Sequence, residues 1–303
     1  MLPPISPAKI SSWMVVGPHG KKEMSMNIGA VIQARVGSIR LPNKVLLSLP
    51  CGSEMTVLGQ IIQRAKKINA VNNVIVATTD NSDDKVIESI SDSFNVFCFK
   101  GDTNNVLSRY FCSAEQNRLD VIVRLTGDNP CIDPAIIDSA LDIHIRENSD
   151  FTFTNKYPLG MNVEIISFKA LKKAFLNASS DDEFEHVTPF FYANTDSFKT
   201  TVIEAPDRYK APDIRLTLDM EADYSLLCAV YEYLYDQMNL FTIEDVIRLF
   251  NQKPWLGLIN KKIVQKKIFN TLEEELSEAV ILLDQQDLKR ARDYLRTLLS
   301  QRA

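Results

Sequence analysis

The sequence predicts an α/β fold built on a mixed, mostly parallel sheet. Through residue 147, apolar runs of strand length alternate with amphipathic stretches of helical length. From residue 151 short strands and helices mix, as where a sheet takes on antiparallel members. Size agrees: 303 residues, 45% hydrophobic and 24% charged, suffice for one large domain or one domain plus an appendage.

In chain order, Asn27-Ile-Gly-Ala-Val-Ile-Gln33 reads as a central parallel strand because it is apolar almost throughout. Helix-like 54–69, strand-like 73–78, helix-like 82–93, strand-like 95–99, helix-like 104–118 and strand-like 120–125 follow. The helix expected over 133–147 has its own start signal, since Asp133 can cap free N–H groups while Pro134 stands where a missing N–H costs nothing. Short strands are expected at 151–155, 162–167, 199–204 and 213–218, and helices near 167–178, 182–194 and 221–236. The domain is placed at 27–250. In the tail, 251–303, Thr271-Leu-Glu-Glu274 resembles a capping box, and Leu272, Leu276, Val280 and Leu283 recur at helical spacing. Asp287 can cap a second helix bearing Leu288, Ala291, Leu295 and Leu298. This hairpin either covers the domain or joins two subunits, because periodicity shows an apolar face and not what covers it.

The net charge of -5 argues against a general nucleic-acid binder, which needs a surplus of cations on one face. Five cysteines without CxxC spacing suit reduced thiols in a cytoplasmic protein and make a zinc site improbable. No apolar run approaches the ~20 residues that span a bilayer. Residues 1–26 read as a flexible leader, with Met24 or Met26 as a candidate functional start.

Against that acidic background, Gln33-Ala34-Arg35-Val36-Gly37-Ser38-Ile39-Arg40-Leu41-Pro42-Asn43-Lys44 sets three cations directly behind the first strand. Chains leaving such strands at the carboxyl edge of an open sheet usually build ligand sites there. Arg35, Arg40 and Lys44 can converge on a triphosphate while Gly37 and Ser38 admit backbone N–H groups to phosphate oxygens. The alternative is solvated charge around a turn, but three cations at a sheet edge repel one another unless anions compensate. Neither a Gly-x4-Gly-Lys-Ser/Thr loop nor a Gly-x-Gly-x-x-Gly fingerprint is present. Asp128, after a strand and a glycine, is either a metal ligand facing the same crevice or a turn residue. Arg124, inside a strand, needs a carboxylate or phosphate partner in either a catalytic or a structural role.

The run Val31–Leu47 resembles the signature of the cytidylyltransferase family that includes CMP-3-deoxy-octulosonate synthetases, acylneuraminate cytidylyltransferases and spore-coat polysaccharide F-type proteins, the last branch being nearest. Further matches follow in order: Val76–Asp80, Gly101-Asp102 with Val106–Tyr110, Val123–Pro130, Ile132–Pro134, Glu185–Pro189 and Arg215–Asp219. The resemblance implies a Rossmann-like, GT-A-like nucleotidyltransferase fold and an Mg²⁺-dependent enzyme that joins a sugar hydroxyl to the α-phosphate of CTP, releasing pyrophosphate. By that resemblance Gln33, Ala34, Arg35, Gly37, Ser38, Arg40 and Lys44 hold the nucleotide, Lys44 nearest the bond being broken, and Asp128 and Asp219 hold the metal. Thr78, Thr79, Asp80 and Arg109 shape the base pocket, with strand-end capping and helix-surface charge as alternatives. Arg124, Tyr157, Asn162, Glu164 and His186 fall on the acceptor side, although His186 is equally a packed residue.

Two departures from the family pattern stand out: Asn162 where an aspartate is common, and Glu221-Ala222-Asp223 where Pro-Glu-Asp often stands. Glu221 and Asp223 still favour a helix start. The sequence therefore points to a cytidylyltransferase acting on an acidic ulosonate-type sugar for surface polysaccharide, soluble in the cytoplasm, with CTP and a sugar as its small-molecule partners and a homodimer as one option. A GT-A glycosyltransferase would normally carry an Asp-x-Asp motif after a strand, and Asp128 is followed by Asn-Pro. A non-catalytic nucleotide-binding relative is the remaining alternative.

Overall fold

The computed structural model describes residues 26–236, 240–263 and 271–300. The chain divides after Lys261 into two compact units. The first opens with Ile28–Gln33 (β1), Val57–Ala65 (α1), Asn73–Thr79 (β2), Lys85–Ser93 (α2), Phe97–Gly101 (β3), Val106–Gln116 (α3), Val121–Thr126 (β4) and Pro134–Arg146 (α4). Phe151–Asn155 (β5), Glu164–Ser167 (β6), Phe168–Asn177 (α5), Asp181–His186 (α6), Pro189–Ala193 (α7) and Thr200–Glu204 (β7) come next. Glu221–Leu234 (α8), Ile243–Gln252 (α9) and Leu256–Ile259 (α10) complete the unit. Residue 250, where the sequence alone ended the domain, lies within α9.

One seven-stranded sheet runs in the order β3-β2-β1-β4-β6-β5-β7. Only β6 is antiparallel to its neighbours. Alternation along β1 explains its unbroken apolar sequence: Ala30 and Ile32 join a core shared with α1, α4, α8 and α9, while Val31 joins the opposite core with α3, α5 and α7. A strand covered on both faces has no polar side to show, and each large aliphatic side chain buried this way contributes about 1.5–3 kcal/mol. Strand order reverses between β1 and β4, so their carboxyl ends open a crevice there, the usual ligand position in such sheets. Asp133 caps α4 as its sequence requires, its side chain accepting the Ala135 N–H at 2.9 Å with Pro134 at the first helical position.

Two expected elements differ. The helix expected over 182–194 is broken into α6 and α7, because Val187 takes a left-handed φ of 67° and Pro189 restarts the helix without an N–H. Residues 213–218 form no strand. Their hydrogen bonds go to loops, Leu159 N–H to Ile214 O at 2.8 Å, Leu216 N–H to Leu159 O at 2.7 Å and Leu218 N–H to Asp128 O at 2.8 Å. Leu216 and Leu218 are buried as alternation predicts, but their partners are turns from two different places in the chain.

The second unit is a hairpin of Leu272–Gln285 (α11) and Lys289–Ser300 (α12). Thr271 caps α11 through the Glu274 N–H at 3.2 Å, and Asp284 pairs with Arg292 across the turn. Asp287, the expected cap of the second helix, takes a φ of 58° in the turn instead. Residues 1–25 of the expected leader lie outside the described residues.

Candidate active site

The cationic loop leaves β1 already anchored. Ala34 N–H bonds Ala77 O at 3.1 Å, and Val36 N–H donates to Asp84 Oδ1 at 2.7 Å. Asp84 is 3% exposed and also accepts the Thr79 hydroxyl, so one buried carboxylate ties the loop to the end of β2. The loop then folds back, Ser38 and Asn43 N–H both bonding Val36 O, and Asn43 takes a left-handed φ of 59° before the single helical turn Lys44–Leu46. Val45 of that turn is buried in the core, which fixes the base of the neighbouring Lys44 side chain.

Asp128 comes from the end of β4. Gly127 N–H bonds Gln33 O at 2.7 Å, and a Cβ at Gly127 would stand 3.0 Å from that oxygen, so glycine permits the approach of the β1 and β4 ends. Thr126 Oγ1 donates to Asp128 Oδ1 at 2.5 Å. Asp219 arrives on the segment before α8. Lys44 Nζ donates to Asp128 Oδ2 at 2.9 Å, to Asp219 Oδ1 at 3.1 Å and to Leu218 O at 2.8 Å. Arg40 Nη2 reaches Asp219 Oδ1 at 2.8 Å, and Arg215 Nη2 reaches Asp219 Oδ2 at 3.0 Å. Burial alone would raise the Asp219 pKa, but Lys44, Arg40 and Arg215 outweigh it and hold the carboxyl below its ordinary value.

Two carboxylates thus converge on one cation at the strand-order reversal. They are hard oxygen donors, the set Mg²⁺ takes when phosphate oxygens and water complete its shell. Among the described residues there is no group of three or more His, Cys, Asp or Glu that could hold a metal ion.

Flanking this network, Arg35 comes within 4.0 Å of Glu185 on α6, while Gly37 has open space around its Cα and Ser38 is partly exposed. Thr78 and Thr79 are buried at the end of β2, and Asp80 is exposed with its N–H on Gly101 O. The Thr78 hydroxyl has no partner among the described residues. Arg109 is fully buried and no helix-surface charge. Its guanidinium donates to Asp102 O and, at 3.0 Å, to Thr103 O, and burial lowers its pKa.

On the acceptor side, Arg124 finds the carboxylate it needs in Glu164, directly across the β4–β6 ladder. Burial opposes the Arg124 charge, yet Glu164 raises the guanidinium's pKa overall. Arg124 Nη2 also donates to His186 O at 3.2 Å, and Tyr192 OH lies 3.4 Å from Glu164 Oε1. Asn162 Oδ1 stands 3.5 Å from Thr154 Oγ1. Tyr157 is 7% exposed and sits in the core.

Sequence reasoning missed several residues that complete these clusters. Asp84 and Tyr192 carry no spacing signal. Thr126 and Arg215 stood in recognised motifs without an assigned role, Asp223, which pairs with Arg215 at 2.9 Å, read as a helix start, and Asn260, which donates to Asp223 at 2.9 Å, lay beyond the expected domain.

The cytidylyltransferase family model matches residues 30–263. An uncharacterised protein of Methanocaldococcus jannaschii is 36% identical over 82% of this chain and 100% of its own length. The spore coat polysaccharide biosynthesis protein SpsF of Bacillus subtilis is 33% identical over 74% of this chain and 94% of its own. A cytidylyltransferase structure from Leptospira borgpetersenii, 31% identical, superimposes with a TM-score of 0.71 over 80% of this chain and 100% of that one. The chain belongs to the cytidylyltransferase family and has its Rossmann-like nucleotidyltransferase fold. Among the described residues no helix is long and apolar enough to cross a membrane.

Proposed function

We propose that this cytidylyltransferase transfers CMP from CTP to a hydroxyl of an acidic, ulosonate-type sugar, in the cytoplasm, for cell-surface polysaccharide synthesis. The observation that carries the reading is the convergence of Lys44, Arg40, Asp128 and Asp219 at the carboxyl ends of β1 and β4. In the reaction the sugar oxygen bonds the α-phosphorus as it loses its proton, and the α–β bridging bond breaks to release pyrophosphate. Charge grows on the α-phosphate and the leaving group, and fixed cations placed beforehand stabilise it most effectively.

Asp128 and Asp219 would hold Mg²⁺, which supplies charge neutralisation at the phosphates. Lys44, Arg40 and Arg35 would bind the triphosphate, with Gln33, Ala34, Gly37 and Ser38 supplying the loop backbone around it. Thr78, Thr79, Asp80 and Arg109 would shape the side on which the cytosine rests. Glu164, Arg124, His186 and Asn162 would orient the acceptor. The reading extends to a homodimer through the hairpin of α11 and α12, where exposed Leu272, Ile281 and Tyr294 of the helices and Leu288 of the turn offer apolar contact area.

Pyrophosphate release from purified protein with Mg²⁺, each nucleoside triphosphate and a panel of ulosonic acids and neutral sugars tests the proposal. CTP-dependent release with an ulosonic acid is the expected result. Release with a neutral sugar alone would overturn the acceptor class, and no release with any pair would overturn the activity.

A further inference from the structure

We infer that Asp223 and Asn260 are positioning residues that keep the Asp219 carboxylate available to a metal ion by sharing Arg215 with it, so that the guanidinium's paired grip falls on Asp223 and only Nη2 touches Asp219. The inference rests on the reading of Asp219 as a metal ligand.

The Asp223 side chain is fully buried, and its oxygens are committed to donors on three segments. Oδ1 accepts from Arg215 Nε at 2.9 Å and Asn260 Nδ2 at 2.9 Å. Oδ2 accepts from Arg215 Nη2 at 3.1 Å and from the backbone N–H groups of Asp219 and Met220, each at 3.0 Å. Asn260 closes the arrangement from the end of α10, also donating to Arg215 O at 3.1 Å, and is 5% exposed.

Arg215 Nη2 therefore stands between two carboxylates, 3.0 Å from Asp219 Oδ2 and 3.1 Å from Asp223 Oδ2. Arginine forms its strongest pairs two-pronged, and here the second prong, Nε, goes to Asp223. Were Asp223 neutral, the guanidinium would turn more of its charge onto Asp219, which it already touches at 3.0 Å, and compete there with any divalent ion. Charge balance says the same. Among the described residues the network holds three cations, Arg40, Lys44 and Arg215, against three carboxylates, Asp128, Asp219 and Asp223. Losing the Asp223 charge leaves a surplus positive charge that repels a metal ion. The Asp219 N–H bond to Asp223 fixes the backbone from which that ligand projects. Residues that orient a metal ligand in this way typically change metal affinity or activity by about 10- to 100-fold when replaced.

The test is Mn²⁺ binding to the full chain with CTP and no acceptor, read from the electron paramagnetic resonance signal of the free ion, beside CTP binding without metal. Asp223→Asn is expected to weaken Mn²⁺ binding by about 10- to 100-fold while metal-free CTP affinity holds. Asn260→Ala should weaken it by about tenfold, and adding Asp223→Asn to Asp219→Asn should cost nothing further. Unchanged Mn²⁺ affinity in Asp223→Asn, with affinity lost in Asp219→Asn, overturns the inference, and so do additive losses in the double variant. Wild-type affinity in Asp219→Asn overturns the metal reading itself and the inference with it. Should Asp223→Asn fail to fold, Asn260→Ala decides alone, and wild-type affinity there overturns the inference.

Discussion

Lys44 is the side chain on which the candidate site turns, because one ammonium group touches both aspartates and a backbone carbonyl at 2.8–3.1 Å. It is well shielded from solvent, with 13% of its side chain exposed. A cation held this way keeps two carboxylates together that would otherwise repel, and it is in place before charge develops on a phosphate. Lys44→Met should lower kcat for pyrophosphate release by about 10²- to 10³-fold, the size seen when one fixed transition-state donor is removed. Steady-state kinetics check this, and wild-type kcat would remove Lys44 from the chemistry. Lys44 and Asp128 were legible in the sequence because a strand, a turn and a charged residue stand close together in both places. Asp223 was not: as the third residue of α8 it looked like ordinary first-turn charge, and nothing local says that it is fully buried.

Among the elements, the turn through Gly160 decides where Asp219 can stand. Gly160 has a φ of +95°, and a Cβ there would lie 2.9 Å from Leu216 C and Thr217 N, on the segment that leads into Asp219. Gly160→Ala should therefore destabilise the protein by about 1–3 kcal/mol in denaturant unfolding, with a larger loss of activity than of fold. The α4–β5 contact gives a pH prediction. His144 is 2% exposed, its Nδ1 lies 2.8 Å from Thr152 Oγ1, and burial pushes its pKa down to about 4. The unfolded chain titrates near the ordinary value of about 6.5, so between about pH 6.5 and 4 it takes up a proton that the folded chain refuses. Stability should therefore fall as pH drops through that window, by up to about 1.4 kcal/mol per pH unit, and be flat on this account above it. Chemical denaturation at several pH values checks this, with His144→Gln expected to flatten the slope. Periodicity revealed α4 and β5 separately, but the burial of a histidine between them needs both in place.

For the whole molecule, the family match ends at residue 263, and the hairpin of α11 and α12 forms a compact unit of its own. A chain ending at residue 263 should keep cooperative unfolding and pyrophosphate release, because among the described residues the members of the ion-pair network and of both cores named above all precede Lys261. Light scattering of the full and shortened chains should show a dimer become a monomer. The same number of subunits in both would overturn the dimer through α11 and α12, and lost activity would show that the tail serves the site. The sequence by itself determined the alternating elements through α4, the cationic loop behind β1 and the family, since periodicity and motifs are read over short stretches of chain. Only the tertiary structure decided that Lys44 meets Asp128 across 84 positions and Asp219 across 175, and that Asn260 reaches back to Asp223 across 37. The physical reason is strand order: the reversal between β1 and β4 draws loops from distant parts of the chain into one crevice, and no local pattern records which loops those are.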